Sequence, residues 1–181
     1  PLPGSYFPFV VGKALYSRTM IEIAFGLWVI LALRSPEYRV SRSWFLMLFA
    51  IYVLVAYLAS LFGVSPQRSL WSTYERMQGV VDLIHWFAFV WVLAAVFRIW
   101  EDWYRVLNVS LGVSLYMGLL GLGQYYQIGL IVDQFDYLKS TTRLDITLGN
   151  PTYVGAYMLG NVFIALGFLS RSYLHMGRPD R

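Results

Sequence analysis

The sequence predicts an all-α integral membrane protein, a helix bundle with about five transmembrane helices. Apolar residues make up 58% of the 181 residues, and charged residues only 13%, whereas about a quarter of the residues in soluble domains are charged. A soluble domain of this length has too small an interior to bury so many apolar side chains. The apolar residues also cluster in stretches that approach the roughly 20 residues needed to cross a bilayer.

Five apolar stretches are the predicted spans, and together they form a single membrane domain over residues 1–181. They lie approximately at residues 19–33, 44–62, 80–97, 106–132 and 152–170. The first stretch is short, so it must extend into residues 7–16 or lie inside the bundle. Aromatic side chains gather at the predicted span ends, which is typical of the lipid–water interface.

The distribution of lysine and arginine predicts the orientation. Five spans place the loop at 34–42, the loop at 98–105 and the C-terminal tail on one side, with eight of the 14 basic residues. Cytoplasmic loops carry the excess of positive charge. The long connectors at 63–79 and 133–151 are therefore predicted to lie outside, and the C-terminus in the cytoplasm.

Several classes of chemistry are disfavoured by composition. The chain has no cysteine and only two histidines, which argues against disulfides, thiolate metal sites and a histidine-rich metal or haem centre. The net charge of +4 is explained by basic residues at span ends, so nucleic acid is not a predicted partner. We expect membrane lipids as partners, and neither a metal nor another cofactor.

The first long connector carries a candidate phosphate site. Arg68 and Arg76 lie close in sequence to Trp71, and two guanidinium groups at a membrane surface can bind a phosphate or pyrophosphate headgroup bidentately. The alternative is that Glu75 or Asp82 pairs with an arginine and the connector simply follows the interface.

Polar residues continue into the third span. Gln78, Asp82 and His85 are spaced to share one face of a helix. An ionisable pair there is costly unless it faces protein or water, so it predicts either a hydrogen-bonded lock between two helices or a proton relay. Arg18 and Glu22 lie four residues apart and are predicted to neutralise each other.

The second long connector contains both acidic and basic residues. Asp133, Asp136 and Asp145 resemble a cation site, but their spacing fits no calcium loop. Arg143 is a second candidate phosphate contact, and a solvated loop is the alternative. The proline at position 151 suits the start of the last helix.

Three runs of the sequence resemble the amino-terminal half of bacterial O-antigen ligase family proteins. The longest begins EYRVSRSWFL and continues to GVSPQRSLWSTYERMQGVVDLIHW, where the run Ser69–Gly79 is the most specific part. The second is RLDITLGNPTYVGAYML, and the third is the opening YFPFVVGKALYSRTMIEIAFGLWVILALRSPEYR. The similarity extends over essentially the whole chain.

The resemblance implies a transfer reaction at the outer face of the bacterial inner membrane. A glycan would move from an undecaprenyl pyrophosphate carrier to an acceptor hydroxyl, without a nucleotide sugar or an essential metal. Carried over residue by residue, Arg76 and Arg143 become candidate pyrophosphate contacts. The residues implied to support the connectors are Trp71, Ser72, Glu75 and Asn150.

The resemblance also implies that the chain is part of a longer protein. Family members have about a dozen spans, and their presumed catalytic histidine lies in a later outer loop that His85 and His175 do not match. The alternative function, from a different class, is a non-catalytic membrane subunit of a larger complex that makes helix, lipid or pigment contacts. A small transporter or channel is a weaker alternative, because the spans carry almost no central ionisable residues.

Overall fold

The computed structural model describes residues 8–73, 76–132 and 143–176, and within these segments it contains helices and no strands. This confirms the all-α prediction. The described segments hold a short 3₁₀ turn at Pro36–Tyr38 and seven α-helices: α1 Pro8–Arg34, α2 Trp44–Leu61, α3 Pro66–Trp71, α4 Val80–Val96, α5 Trp100–Tyr125, α6 Gly129–Val132 and α7 Pro151–Met176. They belong to two compact units, residues 1–98 and 99–181.

Four of the described helices, α1, α2, α5 and α7, are long and apolar enough to cross a membrane. Helix α4 is also apolar but has 17 residues, the lower end of the range for a span. The five predicted spans therefore correspond to four long helices and one shorter one. The architecture is that of a multi-pass membrane protein.

In the first unit, helices α1 and α4 run parallel. Arg18 meets Asp82, and further along the same two helices the ring of Trp28 packs edge-on against Trp91 at a centroid distance of 6.4 Å. In each pair, the α4 residue follows its α1 partner by nearly the same number of residues. This relationship is expected for parallel helices of equal rise.

Helix α1 is longer than the predicted first span, because it begins at Pro8 instead of residue 19. This confirms that the span extends into residues 7–16. Arg18 lies beside the first turn of α4, so the ten residues before it continue about 15 Å beyond the start of α4 at the rise of an α-helix.

The predicted span at 106–132 is interrupted, which corrects the sequence prediction. Helix α5 begins at Trp100 and ends at Tyr125, and Gln127 has a φ of 51°. The amide of Gln127 donates to the carbonyl of Gln124, and that of Ile128 to the carbonyl of Gly123. These two bonds form a Schellman motif, which ends a helix. Gln127 occupies the left-handed position where glycine is usual, so the end of this helix was not predictable from the sequence.

The second unit is built on the antiparallel pair α5 and α7. Tyr104 packs on Phe168 with a centroid distance of 4.8 Å, and the hydroxyl of Ser110 donates to Asn161 at 2.9 Å. Near the other end of α5, a small apolar core is formed by Met117, Leu120 and Ile146. Ile146 belongs to the segment before α7, so this core attaches that segment to α5.

Helix α3 and the start of α4 approach each other closely at one glycine. A Cβ atom on Gly79 would lie 2.2 Å from the carbonyl oxygen of Leu70 and 2.8 Å from that of Ser69. Both are backbone atoms that cannot rotate away. The contact therefore requires glycine, although the backbone angles of Gly79 are open to any residue.

We expect Gly79→Ala to destabilise the first unit by about 1–3 kcal/mol, the usual range for forced overpacking. Gly26→Ala is the matched control, since a Cβ there meets nothing within 4 Å and alanine favours the helix. Reversible unfolding of both variants in mixed micelles, followed by circular dichroism, measures the difference. Equal stability of the two variants would contradict the close approach.

Candidate functional site

Arg18 joins three parts of the first unit. Its guanidinium donates to Asp82 Oδ1 from Nη2 at 2.8 Å and from Nε at 3.1 Å, and Nη2 also donates to the carbonyl of Met77. The side chain is only 8% exposed. A single buried cation thus connects α1, the connector before α4 and the first turn of α4.

The same guanidinium lies over an aromatic ring of the connector. Its carbon is 6.0 Å from the centroid of the Trp71 ring, within the range of a cation–π contact. Helix α3 ends directly after Trp71, where Ser72 adopts a φ of 69°. Non-glycine residues seldom adopt this conformation. Trp71 therefore contacts Arg18, and the chain turns at Ser72 directly after it.

The structure corrects two predicted pairings. Arg18 and Glu22 do not neutralise each other, because each bonds to α4: Arg18 to Asp82 and Glu22 to His85 at 3.0 Å. Asp82 and His85 accordingly bond to α1 and not to one another. Partners from a neighbouring helix replace the i,i+4 pairing that spacing alone suggested. The pairing of Asp82 with an arginine, named above as the alternative to a phosphate site, is observed, but the arginine is Arg18 of α1 and not one of the connector.

His85 is held at both ring nitrogens. Nδ1 lies 2.7 Å from the carbonyl of Val81, and Nε2 lies 3.0 Å from Glu22 Oε1. His85 therefore does join two helices, but its partner is Glu22 of α1 and not Asp82, with which the sequence analysis paired it. Gln78 does not share the helical face, since α4 begins two residues after it.

Two candidate phosphate contacts of the first connector are exposed. Arg68 lies in α3 and Arg76 between α3 and α4, and both are on the surface of the unit. The contacts of Arg18 hold the connector on either side of Arg76, at Trp71 and at Met77. Glu75, the remaining candidate of this connector, lies outside the described residues.

In the second unit, Gln124 anchors the segment that precedes α7. Its side chain is completely buried. Its Nε2 donates to the carbonyl of Arg143 at 3.2 Å and to Asp145 Oδ1 at 3.1 Å, and its Oε1 accepts from the amide of Ile146 at 3.1 Å. Arg143, the third candidate phosphate contact, is exposed at the start of this segment.

The anchored segment contains unusual backbone. Ile146 is 2% exposed and has a φ of 47°, and Gly149 has a φ of 74°. A positive φ is costly for a β-branched residue such as isoleucine and persists only where surrounding contacts impose it. Here those contacts are the bond from Gln124 and the packing of the Ile146 side chain.

Asn150 connects this segment to α7. Its Oδ1 accepts from the amide of Thr152 at 2.9 Å, which is the bond of a helix cap. Pro151 follows as the first residue of α7. Asn150 therefore caps the start of the last helix.

Sequence reasoning missed Gln124 and the partners of Arg18. Gln124 lies inside an apolar stretch, and a polar side chain there usually has a partner within the protein. Its position in the sequence could therefore have predicted a buried contact. Asp133 and Asp136 lie outside the described residues. In the part of the chain that is described, no three carboxylate or histidine side chains are close enough to hold a metal ion.

Comparison with known proteins adds no relative: no family model, no curated protein and no solved structure matches this chain.

We expect Gln124→Leu to release the segment before α7. The variant keeps the volume but removes bonds to three backbone or side-chain groups, and each buried group left unsatisfied costs about 1–3 kcal/mol. Amide hydrogen exchange should rise at residues 143–150. Gln127→Leu is the control, since Gln127 is exposed and, among the described residues, its side chain donates to the backbone carbonyl of Gln124 and not to the segment at 143–150. Equal protection in the two variants would contradict the anchor.

We expect Arg18→Met to destabilise the first unit by about 3 kcal/mol, because it leaves the partly buried Asp82 carboxylate without its cation. Arg18→Met combined with Asp82→Asn should be less destabilising, since both charges are then absent. Arg105→Met serves as the control. The Arg105 side chain is 78% exposed and its Nη1 lies 3.7 Å from Asp102 Oδ1, and an exposed ion pair of this kind contributes at most about 1 kcal/mol to stability. Unfolding in mixed micelles compares the variants. A double variant no more stable than Arg18→Met would count against the pairing.

Proposed function

We propose that this chain forms the donor-binding part of a membrane glycan transferase of the O-antigen ligase type. Its substrate would be a glycan carried on a polyprenyl pyrophosphate lipid. One observation supports the proposal above others: buried polar side chains, Arg18 and Gln124, fix the backbone of segments that carry exposed arginines. This holds separately in each unit.

Fixed segments suit the recognition of a phosphate headgroup. Arg68, Arg76 and Arg143 are exposed, and guanidinium groups bind phosphate oxygens in pairs of parallel hydrogen bonds. Because the backbone beneath them is already ordered by tertiary contacts, less conformational entropy is lost on binding. A flexible basic loop would lack this advantage.

The proposed chemistry requires positively charged side chains beside the leaving group. When the acceptor hydroxyl attacks the first sugar, a C–O bond to the sugar forms, the bond from the sugar to the pyrophosphate breaks, and the proton of the hydroxyl is released to water. Negative charge then develops on the departing lipid pyrophosphate. Arg76 of the first unit is proposed to stabilise that charge through hydrogen bonds, and Arg143 of the second unit is a separate candidate for the same role.

The proposed location is the bacterial inner membrane, with the connectors at 63–79 and 133–151 on the outer side. The distribution of lysine and arginine along the sequence supports this orientation. It brings the candidate arginines to the side on which a lipid-linked glycan is presented to its acceptor. The C-terminus would then lie in the cytoplasm.

Binding of a lipid probe tests the proposal. The purified chain in nanodiscs should bind undecaprenyl pyrophosphate more tightly than phosphatidylglycerol at equal lipid charge. We expect Arg76→Ala and Arg143→Ala each to weaken binding of the pyrophosphate lipid about tenfold, since a charge-assisted hydrogen bond contributes about 1.5–3 kcal/mol. Arg105→Ala is the control, because that exposed arginine lies on the predicted cytoplasmic side.

Unchanged binding in Arg76→Ala and Arg143→Ala would contradict the proposal. The non-catalytic subunit then becomes the better hypothesis. It predicts that the chain purifies with a membrane partner in fixed stoichiometry and that deletion of the gene leaves the cell's surface glycans unchanged. Isolation from native membranes in a mild detergent, with mass spectrometry of the complex, measures the first of these outcomes.

A further inference from the structure

We propose that the first unit binds one anionic phospholipid at the end where α1 and α4 finish. The lipid phosphate binds between Arg39 and Arg98, and one acyl chain lies along α2. The inference rests on the backbone contacts, the charge and the cavities of that end. It does not depend on the proposed function, which concerns the connectors.

Two arginines cover the carboxyl ends of α1 and α4. Nε of Arg39 donates to the carbonyl of Ala32 at 3.2 Å, and Nε of Arg98 donates to the carbonyl of Ala95 at 3.1 Å. Nη2 of Arg98 also donates to the backbone carbonyl of Arg39 at 3.4 Å. Because α1 and α4 run parallel, the two arginines lie at the same end of the unit and in contact with each other.

The turn that carries Arg39 is held from two sides. Nε1 of Trp28 donates to the carbonyl of Tyr38 at 3.0 Å, and the guanidinium carbon of Arg98 lies 5.4 Å from the centroid of the Tyr38 ring. The amide of Arg39 donates to the carbonyl of Pro36 at 3.1 Å. The backbone of the turn is therefore ordered without a ligand, which reduces the conformational entropy lost on binding.

Both guanidinium groups retain donors for a ligand. Among the described residues, Nη1 and Nη2 of Arg39 and Nη1 of Arg98 donate to no protein acceptor. Both arginines are exposed, and both line a cavity of about 540 Å³ that Ser41 and Phe97 also line. Guanidinium groups bind phosphate oxygens through strong, charge-assisted hydrogen bonds. The cavity is thus suited to a phosphate group.

Positive charge predominates around this cavity. Residues 34–42 and position 98 include four arginines and one acidic residue, Glu37, so their formal charge is +3. Glu37 lines the cavity as well, and two arginines line it beside that single carboxylate. The distribution of lysine and arginine predicts that this end faces the cytoplasm, where the membrane surface is negative. The charge of the site therefore matches the lipids of that leaflet.

A second cavity indicates that the anion is a lipid. It also measures about 540 Å³, adjoins the first cavity at Ser41 and is lined mainly by apolar residues, among them Met47, Ala50 and Trp91. Trp44, which also lines it, is 78% exposed, as is typical of aromatic side chains at the lipid–water interface. A free phosphate ion would occupy only the first cavity, whereas a phospholipid fills both.

Native mass spectrometry of the chain in non-ionic micelles tests the site. The protein is titrated with dioleoyl phosphatidylglycerol and, separately, with dioleoyl phosphatidylcholine, which has the same acyl chains but no net charge. We expect one phosphatidylglycerol to bind more tightly than phosphatidylcholine. Arg39→Gln and Arg98→Gln should each weaken its binding about tenfold, since each removes charge-assisted hydrogen bonds. Arg34→Gln is the matched control, because it removes the same charge at the same end from a residue that does not line the cavity.

Ala50→Phe tests the acyl chain without changing the charge. The larger side chain occupies part of the apolar cavity, so phosphatidylglycerol should bind more weakly to this variant. Inorganic phosphate at a concentration equal to that of the lipid should not displace phosphatidylglycerol from the unsubstituted chain, because the ion makes no contact in the apolar cavity.

Equal affinity for the two lipids would overturn the proposal, and so would unchanged phosphatidylglycerol binding in both Arg39→Gln and Arg98→Gln. Displacement of the lipid by inorganic phosphate would show a site for free anions and would overturn the assignment to a lipid. The comparison of lipids and the competition with phosphate use the unsubstituted protein. They therefore decide the proposal even if an arginine variant fails to fold.

Discussion

The ion pair between Arg18 and Asp82 is the interaction on which the first unit depends. It places a cation and a carboxylate among apolar helices, where neither is tolerated alone. Because Arg18 also bonds to the carbonyl of Met77 and lies over Trp71, the same pair determines the course of the connector. Further along the same two helices, the contacts of Glu22 with His85 and of Trp28 with Trp91 keep the parallel register that the ion pair has.

The second unit orders its connector by the same physical means with different chemistry. Gln124 is neutral, so it satisfies backbone groups of the segment at 143–146 without introducing a charge. The neutral anchor can therefore be completely buried, whereas Asp82 remains partly exposed beside its cation. In both units, a polar side chain on a long helix takes the place of regular secondary structure in fixing a connector.

The fold was largely predictable and the polar contacts were not. Long apolar runs predicted the helices because the hydrocarbon thickness sets a minimum length whatever the tertiary packing. The end of α5 was missed because Gln127 occupies a left-handed position without the usual glycine. The partner of Arg18 was missed because spacing favoured Glu22 on the same helix, while the fold brings a carboxylate from 64 residues away. The phosphate role of Arg68, Arg76 and Arg143 stays a prediction.

The close approach at Gly79 bears on how distant relatives of this chain are to be identified. Apolar helices drift rapidly in sequence, since one aliphatic side chain replaces another at little cost. A position that excludes even a methyl group cannot drift in this way, because the carbonyl oxygens of Ser69 and Leu70 occupy the space. A glycine directly before the first turn of a short apolar helix, with an aspartate three residues later, is therefore a more durable marker of common descent than the hydrophobic pattern around it.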